Sequence, residues 1–338
     1  MICLQMIISV YLQRQTTNAN IAYNFNPQGD RLKKMYTDIV PVVVTYNPDE
    51  STLIANLSAL LSQVQDVVIV DNDSRCDVAE ITKRLDKEYF NRINLIKLQH
   101  NDGLGKAFNT GISVARDLNA AFVLLMDQDS IPESDMLNKL YLAYQDLDNQ
   151  GIPVGAIAPH YRNSTSSQLS QFVCITRFGL VRITNDDNTN YIRADFLISS
   201  GSLISMQALD QAGEMDAGLF IDHIDTEWCF RVQSKGFALY GVSDAIMQHS
   251  LGDKHIRFWW GRWRNISFHQ PFRYYYMFRN SALLWQRPYM PEAWKRADKL
   301  RILCMLFFFT LFSPNRITNL RMMLKGLKDG FNLRTGKL

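Results

Sequence analysis

The chain has 338 residues, 47% of them hydrophobic and 20% charged, which suits a globular protein with a large core and excludes general disorder. Its net charge of +3 conceals a division: from Asp253 onward there are 17 Lys and Arg against 4 Asp and Glu, whereas the preceding residues hold 19 basic and 29 acidic side chains. Five scattered cysteines (Cys3, Cys76, Cys174, Cys229, Cys304) form no C-x-x-C pair, which argues against a disulfide framework or a zinc site and favours a reducing compartment.

Residues 1–34 stand apart from the rest of the chain. Met1 to Leu12 is apolar but has no basic segment before it and no small-residue cleavage site after it, so it makes a poor signal peptide and is too short to span a membrane. With the polar stretch to Lys34 it reads as a peripheral extension. Translation from Met35 is an alternative that native peptides from upstream of Met35 would exclude.

From Ile39 a repeating pattern begins. IVPVVVTYN (Ile39–Asn47) is a β-branched strand closed by Pro48, and Asp49 to Gln63 carries helical apolar spacing at Leu53, Leu57, Leu60 and Leu61. DVVIVDNDS (Asp66–Ser74) is a second strand, followed by a helix from Val78 to Leu85. INLIKLQ (Ile93–Gln99) is a third, followed by the loop HNDGLGKAFNTG and a helix over Ala107–Leu118. AFVLLMDQDS (Ala121–Ser130) is a fourth. Strands alternating with helices give an α/β fold with a parallel, doubly wound sheet.

Ligands of such sheets bind beyond the carboxyl ends of the strands. Three of the four strands end there in Asp or Asn clusters. Asp127 and Asp129, one residue apart at that edge, repel each other unless a cation lies between them, and a hard divalent ion with phosphate ligands is the usual answer. The plain alternative is an Asp-rich turn, with Ser130 to Glu133 starting a helix. Gly103-x-Gly105 lacks the third glycine of a dinucleotide fingerprint and follows the wrong strand, so a Rossmann dehydrogenase is disfavoured; a P-loop is absent. The small residues still allow close backbone approach to a ligand, and the next helix offers its N-terminal N–H groups to phosphate.

GAIAP (Gly155–Pro159) is another strand, and FLISSGSLISM (Phe196–Met206) is apolar with a Ser-Ser-Gly-Ser break. Asp222, His223, Asp225 and Glu227 crowd onto a helix start. Carboxylates are favoured there by the helix dipole alone, so structural and catalytic readings both stand. His249 follows an apolar run and, taken alone, reads as a core histidine. The basic tail holds Trp259, Trp260, Trp263, Trp285 and Trp294 and the apolar run Ile302 to Phe312, too short to span a bilayer but suited to an interfacial helix. Trp and Tyr beside the positive charge favour an anionic membrane surface over nucleic acid.

Taken in order, VVVTYN, VDNDS, NDGLGKAFNTG, MDQDS, FIDHIDTEWCFR and QHSLGD resemble the family-two nucleotide-sugar glycosyltransferases, over roughly Ile39 to Asp253. DQDS, FID-x-x-DTEWCFR and HSLGD look most like bacterial rhamnosyltransferases of O-antigen or other surface-polysaccharide assembly. Polymerising galactofuranosyltransferases are similar in the same segments. The resemblance implies a GT-A catalytic domain over 35–253, with a Rossmann-like, mostly parallel sheet flanked by helices. The extension 1–34 would precede it, and a basic, aromatic, helical membrane-associating region would occupy 254–338.

It also implies roles. Thr45, Tyr46 and Asn47, with Asp71 and Asn72, would hold the nucleoside, Asp71 accepting a pyrimidine N3–H. Asn101, Gly103 and Gly105 would line the nucleotide pocket, with Asn109 nearby. Asp127, nearer the ribose, and Asp129 would hold Mg²⁺ or Mn²⁺ on the diphosphate, with His249 completing the ligands. Asp225 would be the general base, with Asp222 as runner-up or acceptor ligand. Gln128 between the aspartates and His223 beside the base depart from the broader family.

The implied activity is inverting transfer from dTDP-L-rhamnose, or another nucleotide sugar such as UDP-galactofuranose, to a sugar on a polyprenyl diphosphate. The enzyme would sit in the cytoplasm, peripheral on the inner face of the cell membrane. A sugar-phosphate nucleotidyltransferase would instead carry a Gly-rich, Arg/Lys-bearing loop after the first strand, where this chain has TYNPDE. A binding scaffold that had lost activity is disfavoured because every acidic position the chemistry needs is present.

Overall fold

The computed structural model describes residues 21–23, 34–163, 169–176, 179–184, 190–249, 255–259 and 263–338. Most of the extension over 1–34, Trp260 and the Ser250–Asp253 part of the last motif lie outside the described residues, as do the side chains of Trp259 and Trp263. Within the extension, Ile21–Tyr23 pairs antiparallel with Lys34–Tyr36.

The four expected strands form: β1 (Ile39–Thr45), β2 (Val67–Asp71), β3 (Ile93–Lys97) and β4 (Phe122–Asp127). Between them lie α1 (Glu50–Leu61), α2 (Val78–Thr82) and α3 (Leu104–Asp117). All four strands run parallel, with β1 between β2 and β4. The chain winds outward from β1 through β2 to β3, then returns to β4 on the other side of β1. That reversal opens a crevice at the carboxyl ends of β1 and β4, the place where open α/β sheets bind ligands.

Ser130–Pro132 is a short strand, β5, where the plain reading had a helix beginning, and the helix α4 starts only at Met136 and ends at Asn149. The cause is tertiary: β5 adds to the end of β9 (Ala238–His249), with Ser130 opposite His249. The sheet continues through β6 (Val154–Asn163), β7 (Tyr191–Ala194) and β8 (Ser202–Ser205), in the order β7-β9-β6-β8-β4-β1-β2-β3. β8 runs antiparallel to both β4 and β6, so the sheet is mixed beyond its first four strands.

Alternation along β1 shows why the sheet is covered on both sides. Val40, Val42 and Val44 enter one core with Phe108 and Ile112 of α3; Ile39 and Val43 enter the other with Leu53, Leu57 and Leu60 of α1 and Leu137 and Leu140 of α4. The first face also receives α5 (Met206–Ala212) and α6 (Ile224–Ser234). Three helices complete the chain: α7 (Pro271–Trp285), α8 (Glu292–Phe312) and α9 (Arg316–Phe331). The expected Ile302–Phe312 helix is thus the second half of a longer one. Trp294, Lys295, Asp298, Ile302 and Phe309 are its buried residues, and the charged ones among them hide its first half from a hydropathy reading. Among the described residues no helix is long and apolar enough to cross a membrane.

Candidate active site

The carboxyl ends of β1 and β2 build one wall of the crevice. Thr45 and Asp71 face each other in register and are buried, Thr45 Oγ1 donating to Asp71 Oδ1 at 3.3 Å. Ser74 N–H also donates to Asp71 Oδ1, whereas the buried Asp71 Oδ2 has no partner. A buried, orphaned carboxylate oxygen is costly unless a ligand donates to it. Asn72 and Asn101 extend this wall through a 3.2 Å bond between their side chains, and Asn101 Oδ1 also accepts from Gly103 N–H.

Asn47 holds φ at 48° and accepts from Arg75 N–H, tying the β1 and β2 exits together. Tyr46 is exposed, and its backbone is gripped by Gln128, whose Oε1 accepts from Tyr46 N–H at 2.7 Å. Gln128, the departure between the two aspartates, therefore laces the ends of β1 and β4 across the crevice.

Asp127 closes β4. Its carboxylate, that of Asp129 and the His249 imidazole bring one ligand atom each within 4.8 Å of one another. Burial, together with the charges of Asp129 and Asp225 and against the help of His249, pushes the Asp127 carboxyl up to about 6. A crowded, half-buried pair of carboxylates with an imidazole fits a hard divalent cation. His249 is thus the last residue of β9 with its ring at the site, and not a core histidine.

Beyond this cluster opens a cavity of about 300 Å³, lined by Asp127, Ser200, Asp222, Asp225, His249 and Arg273 among others. Asp222 and Asp225 differ in their surroundings. Asp222 accepts from Arg273 Nη2 at 3.1 Å and from Nε at 3.3 Å. Asp225, in the first turn of α6, accepts from the backbone N–H and the hydroxyl of its neighbour Thr226. Burial first, then the Asp222 charge, raises the Asp225 carboxyl above the usual carboxylate range despite the Thr226 N–H.

The segment carrying these acids is held in strained backbone. Phe220 has φ 63° and ψ −62°, with Ile221 N–H donating to Leu219 C=O across it, the rare γ-turn; Asp222 and His223 come next with φ 64° each. Neighbours hold this conformation in place. Asn280 Nδ2 of α7 donates to the carbonyls of Leu219, Ile221 and Asp222, and Arg301 of α8 reaches His223 Nε2 at 3.0 Å. Burial and the Arg301 charge lower the His223 imidazole to about 4, so it is neutral at physiological pH.

Three sequence expectations change meaning. A Cβ on Gly103 would meet Phe220 O at 2.5 Å, and one on Gly105 would meet Asp216 O at 3.0 Å. The absent side chains thus let the 216–220 segment pack on α3, and any ligand contact at these two is left to their backbone. The Asn109 amide clamps Met215, donating to its carbonyl at 2.8 Å and accepting from its N–H at 2.9 Å. That commits Asn109 to the chain itself. Arg273 carries no local signal, lying beyond the expected catalytic boundary at 253; Asn56 did carry one, as a polar residue among Leu53, Leu57 and Leu60 on α1's apolar stripe. Its Nδ2 donates to the carbonyls of Asp127, at 3.1 Å, and of Ser130.

Residues 42–213 match the model of Glycosyl transferase family 2. The chain is 31% identical over 262 residues to the dTDP-rhamnosyl transferase RfbF of Shigella flexneri, covering 76% of this chain and 83% of that one. It is 24% identical over 225 residues to the low-salt glycan biosynthesis hexosyltransferase Agl10 of Haloferax volcanii, covering 63% and 67%. Among solved structures, S. aureus TarS 1-349 in complex with UDP-GlcNAc superposes with a TM-score of 0.55 at 15% identity, over 88% of this chain and 81% of that one. GalNAc-T7 with UDP, GalNAc and Mn²⁺ superposes at 0.53 and 15% identity, over 82% of this chain and 58% of that longer one. At such identities the two structures speak for the fold alone, a GT-A-like one.

Proposed function

The chain belongs to glycosyl transferase family 2, and on that premise we propose that it moves L-rhamnose from dTDP-L-rhamnose to a sugar carried on a polyprenyl diphosphate, in O-antigen or other surface-polysaccharide assembly. One observation carries this reading: a cluster able to hold a divalent cation and the buried carboxylate of Asp225, which among the described residues makes no ion pair, face the same 300 Å³ cavity. Asp127, Asp129 and His249 would hold Mg²⁺ or Mn²⁺. When bound, the ion neutralises charge developing on the nucleoside diphosphate leaving group.

Asp225 takes the proton of the acceptor hydroxyl as that oxygen bonds the anomeric carbon. The carbon–oxygen bond to the diphosphate breaks with its electron pair, and a single displacement inverts the centre. A raised proton affinity suits this task. Asp222, already paired with Arg273, is the poorer base and instead orients the acceptor. On the nucleoside side Asp71 Oδ2 receives the base N3–H, with Asn72 and Asn101 beside it. The relative named a dTDP-rhamnosyl transferase supports the donor, and the family sets the nucleotidyltransferase reading aside.

The acceptor's lipid would be met at the cytoplasmic membrane face. Leu300, Leu303, Phe307 and Leu311 form an exposed stripe along α8, with exposed Arg296, Lys299, Arg316 and Arg321 around it. Apolar side chains bordered by basic ones suit an anionic bilayer surface. The test is incubation of the full chain with dTDP-L-rhamnose, UDP-galactofuranose and other nucleotide sugars, with Mg²⁺ or Mn²⁺. Turnover of dTDP-L-rhamnose above the others is expected. Preference for a UDP-sugar would replace the donor, and no turnover of any would sink the assignment.

A further inference from the structure

Two buried serines join candidate metal ligands that come from separate strands. Ser130 is fully buried on β5, and Ser200 is 1% exposed in the turn before β8. Asp127 N–H donates to Ser200 Oγ at 3.1 Å, the Ser200 hydroxyl donates to Ser130 Oγ at 2.7 Å, and Ser130 Oγ lies 2.8 Å from His249 Nδ1. Each hydroxyl has one hydrogen to give. Ser200's goes to Ser130, whose oxygen has a second lone pair to accept Nδ1–H, the tautomer that leaves His249 Nε2 as the nitrogen for a metal ion.

The frame around it is rigid. Ser130 sits opposite His249 in the β5–β9 pairing, and Asn56 Nδ2 holds the carbonyls at both ends of the Asp127–Ser130 turn. Gly201, with φ 83°, has Pro159 and Met247 against the place a Cβ would take, so the turn presenting Ser200 has no room to shift.

We infer that Ser130 and Ser200 are positioning residues that form a buried hydroxyl relay, fixing the His249 ring relative to Asp127 and thereby setting the affinity of the site for its divalent ion. The inference rests on reading Asp127, Asp129 and His249 as metal ligands. In the β4–β5 turn Ser130 is the group within hydrogen-bond distance of the ring, at 2.8 Å, whereas Asp129 Oδ1 stands 3.7 Å from the same nitrogen. Groups that bond the remote nitrogen of a ligating histidine typically change metal affinity by about 10–100-fold when removed.

The experiment titrates Mn²⁺ alone, and then Mn²⁺ with dTDP or UDP, into the full chain, following the free ion by electron paramagnetic resonance. Ser130→Ala is expected to bind Mn²⁺ about 10–100-fold more weakly than wild type. Ser200→Ala should show a smaller loss, and Ser200→Thr, which keeps the hydroxyl, should bind more tightly than Ser200→Ala. In metal-free protein the His249 Nδ1 nitrogen shift should report a protonated, hydrogen-bonded nitrogen and lose that signature in Ser130→Ala. Thermal melting checks that each variant folds; if Ser130→Ala does not, the Ser200→Ala and Ser200→Thr pair decides. Serine variants that bind Mn²⁺ like wild type, while His249→Ala has lost it, would overturn the relay and spare the metal site. Wild type binding no better than His249→Ala and Asp129→Ala would overturn both.

Discussion

Asp225 and Glu227 lie two residues apart in the first turn of α6, yet their surroundings are opposite. Glu227 is fully buried and enclosed by cations: Arg231 bonds both its oxygens, at 2.8 and 2.9 Å, Arg287 Nη1 lies 2.8 Å away, and the Tyr289 hydroxyl donates to it. Arg287 also pairs with Asp216. Asp225 turns the other way, into the cavity with Asp127 and His249, where among the described residues the one guanidinium in the wall, Arg273, is engaged by Asp222. Where the chain brings its own arginines, a carboxylate ties helices and loops together. Where it withholds them, like charges accumulate and their proton affinities rise, and that excess is what a metal ion, a donor and an acceptor hydroxyl relieve.

The contrast breaks first at Asp225. Asp225→Asn keeps the shape and removes the proton acceptor, so transfer is expected to fall by about 10²–10⁴-fold while calorimetric binding of dTDP or UDP is unchanged. Full activity would move the base to Asp222. On the paired side, Glu227→Ala leaves Arg231 and Arg287 without their carboxylate and should cost about 3–5 kcal/mol in urea unfolding. A loss near zero would mean that this cluster holds nothing together.

Asp127 sharpens the comparison through pH. Its carboxyl is raised from an ordinary 3.8 to about 6, so the metal-free native state binds that proton more tightly than the unfolded chain does. Stability in EDTA should therefore fall as pH rises through that window, and Asp127→Asn should flatten the fall and stabilise the protein near pH 7 by about 1 kcal/mol. Melting curves between pH 4 and 7 read this directly, and an unchanged profile would show that the acidic cluster is not strained. The smallest effect belongs to α8. Replacing exposed Leu303 and Phe307 with Ser should alter stability by about 0.5 kcal/mol or less, yet reduce sedimentation with anionic vesicles relative to neutral ones. Undiminished sedimentation would remove the stripe from the proposed membrane contact.

Much of the site was legible because strand ends declare themselves. Apolar runs halting at Thr45, Asp71 and Asp127 place those groups on one edge once the strands are read as parallel. The Asp222–Glu227 crowd was equally visible, but its division of labour was not. Glu227 finds Arg287 some 60 residues later and Asp222 finds Arg273 some 50 residues later, and nothing local in a sequence encodes such pairings. Asn109 and the two glycines are ambiguous for a related reason: small and amide residues near a phosphate-like loop serve a ligand or a neighbouring backbone equally well, and here Gly103 and Gly105 lie against the segment 216–220 while the Asn109 side chain holds Met215.

By itself, the sequence determined the alternation of buried strands and helices, the acidic edge and the basic, aromatic tail, since hydrophobic period and charge are local properties of the chain. Only the tertiary structure decided that β5 pairs with β9 and brings His249 to the aspartates. It also decided that Arg273, Asn280 and Arg301 of the last helices hold the strained segment bearing Asp222 and Asp225. The reason is geometric: hydrogen bonds and ion pairs of a few ångströms act between whatever the packed core sets side by side, and that adjacency exists only once both faces of the sheet are covered.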